Sequence, residues 1–281
     1  MTDPAGLPFV TAAPDDVEAA PEQPRRAWVE HVMGMPVSFH VRGPLARDQS
    51  DGAGGAVGAA VRRGIADLHR TDEIFSTYRA DSQISRLRRG ELTADHCDPW
   101  VREVIALCGE ARERTGGWFD ADLPDSAGVR RFDPTGLVKG WAIERVTREL
   151  ADALADHDVL VNAGGDLAVR CRRTDTPDWR LGIEDPFDRT QLLATVPLRS
   201  GGMATSGTAA RGAHILDPHT GRRLDRAGSI TVIGPDLLWV DVHATAAFAM
   251  GAECVDYLAA LEGHLSFVVH PDGTTATITG T

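Results

Sequence analysis

Apolar and polar residues alternate through Val37, Phe39 and Val41, which predicts a strand with one buried face from Met35, closed by Gly43 and Pro44. The glycine-rich segment DQSDGAGGAVG that follows reads as a loop. The period then changes. Val61, Ile65 and Leu68 stand at helical spacing and predict an amphipathic helix running into FSTYR. Asp98 and Pro99 open a second helix that Gly116 and Gly117 end, and a third begins near Gly136 with Leu137, Trp141, Val146, Leu150 and Leu154 along its apolar stripe. After it, VLVN, AGGD and LAVRC read as strand, turn and strand. Further strands are expected at Trp179–Ile183, Leu192–Leu198 and Ser229–Ile233, then a last helix near Val240–Leu261. The chain closes on a hairpin, LSFVVH and TTATIT, turned by Asp272 and Gly273. Strand pairs joined by short turns are antiparallel, so this irregular interleaving predicts an α+β fold with mixed or antiparallel sheets rather than a doubly wound one. No repeat of fixed period is present.

Residues 1–26 are rich in Pro, Ala, Asp and Glu without periodicity and read as a disordered tail ahead of one large domain, 27–281. At 281 residues with 42% hydrophobic and 25% charged content, the chain is of ordinary globular composition and can bury a large core. Its formal net charge is −12, which argues against nucleic acid or anionic lipid as a partner and means that an anionic ligand needs help from a cation. No run approaches the roughly 18 apolar residues of a membrane span, so no membrane insertion is expected. The N-terminus shows neither a signal-peptide pattern nor a lipobox-type cysteine. The four cysteines, Cys97, Cys108, Cys171 and Cys254, form no CxxC pair, which fits reduced thiols and a cytoplasmic protein.

Three segments carry candidate chemistry. In WVDVHATAAFAMG, Asp241 and Thr245 are four residues apart and face one side of a helix, offering two hard oxygens to a cation such as Mg²⁺; the same pair also serves as capping or exposed residues elsewhere. In RFDPTGLVKGWAIERV, Asp133 and Lys139 flank Gly136 at a helix N-terminus, where free amides and an ammonium favour an anion, although an N-capped helix with an exposed lysine would read identically. In ATSGTAARGAHILDPHTG, small hydroxyl residues (Thr205, Ser206, Thr208) precede His214, which is either a packed histidine or a base suited to neutral pH. The turn formed by Ala163, Gly164, Gly165 and Asp166 would allow a ligand close to backbone, and would equally serve a plain hairpin.

Read in order, MGMPVSFHV, FSTYRADSQISRL, GGWFDADL, FDPTGLVKGWAIE, VNAGGDLAV, ATSGTAARGAHILDPHTG and TVIGPDLLWVDVHATAAFAMG resemble the successive blocks of the FAD:protein FMN transferase (ApbE-like) family across residues 33–251. The resemblance implies an ApbE-like α+β domain. It also implies transferase activity, protein flavinylation, in which FMN moves from FAD to a Thr or Ser hydroxyl of an acceptor flavoprotein with release of AMP. It places FAD against Met33, Tyr78, Trp118, Phe119, Asp120, Asp133, Lys139 and His214, and gives Mg²⁺ the side chains of Asp241 and Thr245 and the main-chain carbonyl of Gly136. His214 is the candidate base, with Asp133 as its alternative. The acceptor residue is expected in a short motif of the type D-x-x-S/T-G/S-A-S/T.

Departures from the family pattern are a shorter stretch between Asp120 and Asp133, Met35 where Thr is common, and His243 at an unusual polar position beside the metal residues. Many relatives are exported lipoproteins; without an export signal the acceptor here is expected to be cytoplasmic or to face the cytoplasm. The competing expectations are a Mg²⁺-dependent FAD pyrophosphatase releasing FMN and AMP, and an FAD-binding protein without turnover.

Overall fold

The computed structural model describes residues 24–46, 55–124, 128–208 and 215–281. The chain opens with β1 (Arg25–Val32), β2 (Met35–Arg42), α1 (Gly55–Phe75), α2 (Gln83–Arg88) and α3 (Pro99–Arg114). There follow β3 (Asp122–Pro124), β4 (Arg130–Phe132), α4 (Thr135–Ala153), β5 (Asp158–Ala163), β6 (Asp166–Arg170), β7 (Trp179–Glu184) and β8 (Leu192–Leu198). The last third holds β9 (Ser200–Gly207), β10 (Ser229–Gly234), α5 (Leu237–Met250), α6 (Cys254–Ala259), β11 (Leu265–Val269) and β12 (Thr275–Thr279).

Eight strands form one sheet in the order β1-β2-β5-β6-β9-β10-β11-β12, with every neighbouring pair antiparallel. Side chains alternate between its faces. Val37, Phe39, Val159, Val161, Ala168, Ala204 and Val232 point to one face and pack with residues of α1, α4 and α5. Leu160, Val169, Met203, Ile233 and Phe267 point to the other and pack with Trp179, Leu181, Val196 and Leu198 of the separate β7–β8 ribbon. This double cover explains why β5, β10 and β11 are buried along nearly their whole length rather than at alternate residues.

Most expected elements fall where the pattern placed them, and the differences have physical causes. The expected tail reaches 26, but Arg25 and Arg26 already belong to β1; the rest of that tail, 1–23, lies outside the described residues. β1 is an edge strand whose residues are mostly exposed or half-exposed, so its charges hid it. Residues 47–54 of the expected loop are likewise outside the described residues, while GAVG at its end is already the first turn of α1. The expected last helix starts earlier, where the Asp236 carboxylate accepts the Leu238 amide (2.9 Å), and breaks at Gly251, whose φ of 72° ends α5 before α6 begins.

β9 was not expected, because its sequence SGGMATSG is glycine-rich. Those glycines make room: a Cβ on Gly202 would stand 2.6 Å from Leu237 Cα, so the bare strand lets the start of α5 lie directly on the sheet. Gly202→Ala is expected to displace α5 and cost about 1–3 kcal/mol, the usual range for overpacking, read as a lower midpoint in urea. The shortened stretch after Asp120 closes as the small β3–β4 ribbon, with Asp122 opposite Phe132; residues 125–127 of it lie outside the described residues.

At the far end of β5, the fully buried Asp158 carboxylate pairs with Arg42 (2.9 Å) and accepts hydrogen bonds from Thr176 and the amides of Arg172 and Arg173. Burial alone would raise this carboxyl, but the hydrogen bonds from Thr176, Arg173 and Arg42 and the Arg42 charge outweigh it and hold it below its ordinary value. Its contribution to stability is therefore present above the unfolded carboxylate range and lost as pH falls through the lower folded value. Asp158→Ala leaves Arg42 buried without its acid and is expected to destabilise by about 3–5 kcal/mol in urea denaturation at pH 7.

Candidate active site

The site is built where α4 crosses α5 over β6 and β9. Pro134 cannot continue a helix backwards, and the Asp133 carboxylate accepts both the Thr135 amide (3.1 Å) and the Thr135 hydroxyl (2.6 Å), which starts α4 there. The other oxygen of Asp133 lies 3.6 Å from the Arg88 guanidinium. Gly136 follows in the first turn, against the ring of Phe119. One turn on, Gly140 has no side chain where the helices meet: a Cβ there would sit 3.1 Å from Asp241 Oδ2 and 3.2 Å from Leu238 Cα. A second tie fixes the register. Glu144, 4% exposed, accepts the Leu237 amide at the head of α5 (2.9 Å) together with Arg148 (2.6 Å) and Arg170. The two helices therefore run antiparallel, with Glu144 at Leu237 and Gly140 at Asp241.

This crossing holds Asp241 at 4% exposure on the inner face of α5, and Thr245 one turn further along the same face. Ser206 shares the helix-facing parity of Ala204 on β9, and its hydroxyl meets that of Thr245 at 3.1 Å. Asp166, with the same parity as Ala168, begins β6 directly after Gly164 and Gly165, whose φ values of 62° and 102° make the two-residue turn from β5. Its Oδ1 accepts the Thr205 amide (3.2 Å). Lys139 joins the two acids: its ammonium contacts Asp166 Oδ2 and stands 3.5 Å from Asp241 Oδ2.

The expected site residues thus divide. Lys139, Asp241 and Thr245 come together, and Gly136 lies in the turn of α4 that precedes Lys139 and Gly140. Trp118, Phe119 and Asp120 form a second group beside the start of α4, to which they are tied by the Asp133 amide donating to the Ala121 carbonyl (2.6 Å). Asp120 accepts from Arg130 (2.6 Å) and lies 3.3 Å from Arg112; Trp118 meets His219 edge to face with ring centres 4.5 Å apart. Asp120, Arg112, Arg130 and His219, with Gly116, Gly117 and Pro218, line a cleft of about 290 Å³. Met33 is at the tip of the β1–β2 hairpin, with a positive φ of 52°, half-buried against the helical core. Tyr78 projects into solvent, 98% exposed. His214 lies outside the described residues; the DPHTG turn after it is ordered by Asp217, which accepts the His219 amide (2.8 Å) and the Thr220 hydroxyl (2.8 Å).

His243 belongs to another face. Two residues from Asp241, it points to the opposite side of α5, where Nδ1 meets the Tyr257 hydroxyl at 2.5 Å and His264 packs edge-on. Burial, then the neighbouring His264 and Arg114 charges, push it down to about 4, so it is a neutral packed side chain at physiological pH. Asp166 and Ser206 stand in segments that the sequence singles out, a glycine turn and a hydroxyl-rich run, but neither is assigned a site role there. Their one legible signal was polarity amid short apolar runs.

The donors around Asp241 are oxygens: a carboxylate and the hydroxyls of Thr245 and Ser206. That set suits a hard cation that keeps water or substrate oxygens in its shell, rather than zinc. Among the described residues no group of three His, Cys, Asp or Glu side chains could hold a metal ion by itself. Among the same residues no helix is long and apolar enough to cross a membrane.

The chain is 29% identical over 173 residues to the FAD:protein FMN transferase of Salmonella typhimurium, an alignment covering 57% of this chain and 48% of that protein. It is 28% identical over 244 residues to the FAD:protein FMN transferase of Vibrio cholerae, covering 66% and 72%. Its match to the Salmonella protein thus spans about half of that relative's length. Among solved structures, the ApbE protein of Thermotoga maritima superposes with a TM-score of 0.73 at 20% identity, covering 90% of this chain and 97% of that one. The flavin transferase ApbE of Vibrio cholerae gives 0.72 at 18%, covering 92% and 98%. The expected α+β architecture is therefore that of solved ApbE proteins. The model of the ApbE family matches residues 33–125 and 125–269, and the chain belongs to that family.

Proposed function

We propose that this protein is a Mg²⁺-dependent FAD:protein FMN transferase that moves FMN from FAD to a Thr or Ser hydroxyl of an acceptor flavoprotein and releases AMP. The observation that carries this reading is the buried Asp241 carboxylate, pressed on Gly140, with the Thr245 and Ser206 hydroxyls one turn away and Lys139 at 3.5 Å. Asp241, Thr245 and the Gly136 carbonyl would hold the cation; continuing the antiparallel register by one turn along each helix leads from Gly140 and Asp241 to Gly136 and Thr245. Bound there, Mg²⁺ supplies charge stabilisation for the pyrophosphate of FAD.

The chain's own residues do the rest. Lys139 adds a positive charge beside the phosphates, and Trp118, Phe119, Tyr78 and Met33 offer apolar and aromatic surface for the flavin and adenine rings. The acceptor hydroxyl attacks the phosphorus on the riboflavin side, the anhydride bond to AMP breaks, and His214 takes the hydroxyl proton. Asp133 is the weaker base, because both of its oxygens already serve Thr135 and Arg88.

Mixing the purified protein with FAD, Mg²⁺ and an acceptor flavoprotein tests the proposal by chromatography. AMP is expected to appear in step with loss of FAD, with no equivalent free FMN. Free FMN and AMP in equal amounts would mean hydrolysis, and intact FAD would mean binding alone.

A further inference from the structure

One carboxylate holds two guanidiniums at the edge of the cleft beside the start of α4. The Asp120 side chain is 8% exposed and fully engaged: Oδ2 accepts from Arg130 (2.6 Å) and lies 3.3 Å from Arg112 Nε, and Oδ1 accepts the Asp122 amide (2.8 Å). The guanidiniums are not. Arg112 stands in the last turn of α3 and Arg130 on β4, with side chains 65% and 45% exposed. Among the described residues, both Nη atoms of Arg112 and Nη1 of Arg130 meet no acceptor. Opposite them the His219 ring stands over bare backbone, where a Cβ on Gly117 would lie 3.8 Å from its Cε1. A carboxylate alone would offer an incoming group only acceptors; with its oxygens occupied and two guanidinium forks outward, this wall offers donors and positive charge. Under the function proposed above, the pyrophosphate of FAD is met at the crossing of α4 and α5, which leaves this cleft for a different anion. Its volume of about 290 Å³ falls at the low end of the roughly 300–1,000 Å³ of clefts that enclose a whole small molecule, and guanidiniums this exposed are within reach of a second protein.

We propose that Arg112 and Arg130 form a docking site for an acidic side chain of the acceptor protein and so seat the acceptor beside the FAD site. The inference rests on the reading of this protein as a transferase with a protein acceptor. Phe119, the neighbour of Asp120, lays its ring against Gly136, 3.5 Å from where a Cβ would be, so an acid held in the cleft brings the acceptor to the first turn of α4. Guanidinium forks match carboxylates in shape as well as charge, and in a chain of net charge −12 the pair gives an acidic partner a local point of attraction that fixes its orientation.

Arg112→Gln keeps Arg130 on Asp120, and Arg130→Gln keeps Arg112, so neither variant leaves that carboxylate without a cation. With an acceptor flavoprotein as substrate at saturating FAD and Mg²⁺, each is expected to raise the acceptor KM about fivefold, the scale of one exposed charge pair, while kcat and the KM for FAD stay within about twofold of wild type. Arg112→Lys retains the charge and is expected to stay within about twofold of wild type in acceptor KM. Hexaglutamate is expected to inhibit the wild-type protein in competition with the acceptor and not with FAD, to inhibit either glutamine variant several-fold less, and hexaglutamine to inhibit none of them. An unchanged acceptor KM in both glutamine variants overturns the proposal with the transferase reading intact, and so does hexaglutamate acting alike on wild type and variants. A raised KM for FAD with an unchanged acceptor KM would give the cleft to the nucleotide and overturn it as well. If the wild-type protein leaves unlabelled an acceptor that a known FAD:protein FMN transferase labels, the reading of function falls first and the docking site with it.

Discussion

Asp241→Ala is expected to reduce FMN transfer by about 10³-fold or more at saturating FAD, since it removes the one charged side chain assigned to the cation and several kcal/mol of charge stabilisation go with it. The fold should survive. Asp241 shares Lys139 with a second acid, so after its removal the ammonium still has Asp166 as its partner, and the melting temperature is expected to move by no more than about 4 °C. Thr245→Val keeps the shape and loses one neutral oxygen, and its transfer rate is expected to fall about tenfold, as for one lost ligand interaction. Rates and melting curves measured together decide the matter. A near-normal rate in Asp241→Ala would place the cation elsewhere, and unfolding of both variants would make these residues supports of α5 rather than ligands.

His214→Asn is the second large effect expected. A base must be neutral to accept the acceptor's proton, so the wild-type rate should fall as pH drops through the ordinary histidine range, about 6 to 7. The variant should still bind FAD, lose roughly 10²- to 10⁴-fold in saturating rate, and lose that pH dependence as well. Saturating rate and FAD affinity across pH 5.5 to 8.5 separate a base from a binding residue. A variant with weaker FAD binding but an unchanged saturating rate and pH profile would leave His214 as a ligand-holding group and return the base role to Asp133.

Local pattern carried much of the fold. The strand through Val37, Phe39 and Val41, the helix of Leu137 to Leu154 and the closing hairpin are all legible, because each buries a face that its own periodicity displays. β9 was illegible for the opposite reason: it contributes missing side chains, and the value of Gly202 is visible only once Leu237 lies against it. The site divides in the same way. Asp241 and Thr245 are one helical turn apart, so their convergence follows from spacing alone. The pairing of Lys139 with Asp166, and of Ser206 with Thr245, depends on the β5–β6 hairpin and on β9 being brought under the crossing of α4 and α5, which no local pattern encodes. His243, an unusual polar position by the family pattern, is turned by the helix away from the ligand pair and into a packed cluster with Tyr257.

Covalent joining of FMN to a protein hydroxyl is measured directly by in-gel flavin fluorescence of an acceptor flavoprotein after incubation with the purified protein, FAD and Mg²⁺. The expected result is a fluorescent acceptor band that survives denaturation, carries the mass of one FMN phosphoester, disappears when EDTA replaces Mg²⁺, and is absent when the acceptor threonine is replaced by valine. A protein that binds FAD and Mg²⁺ under the same conditions yet leaves an acceptor that is competent with a known FAD:protein FMN transferase unlabelled would contradict it.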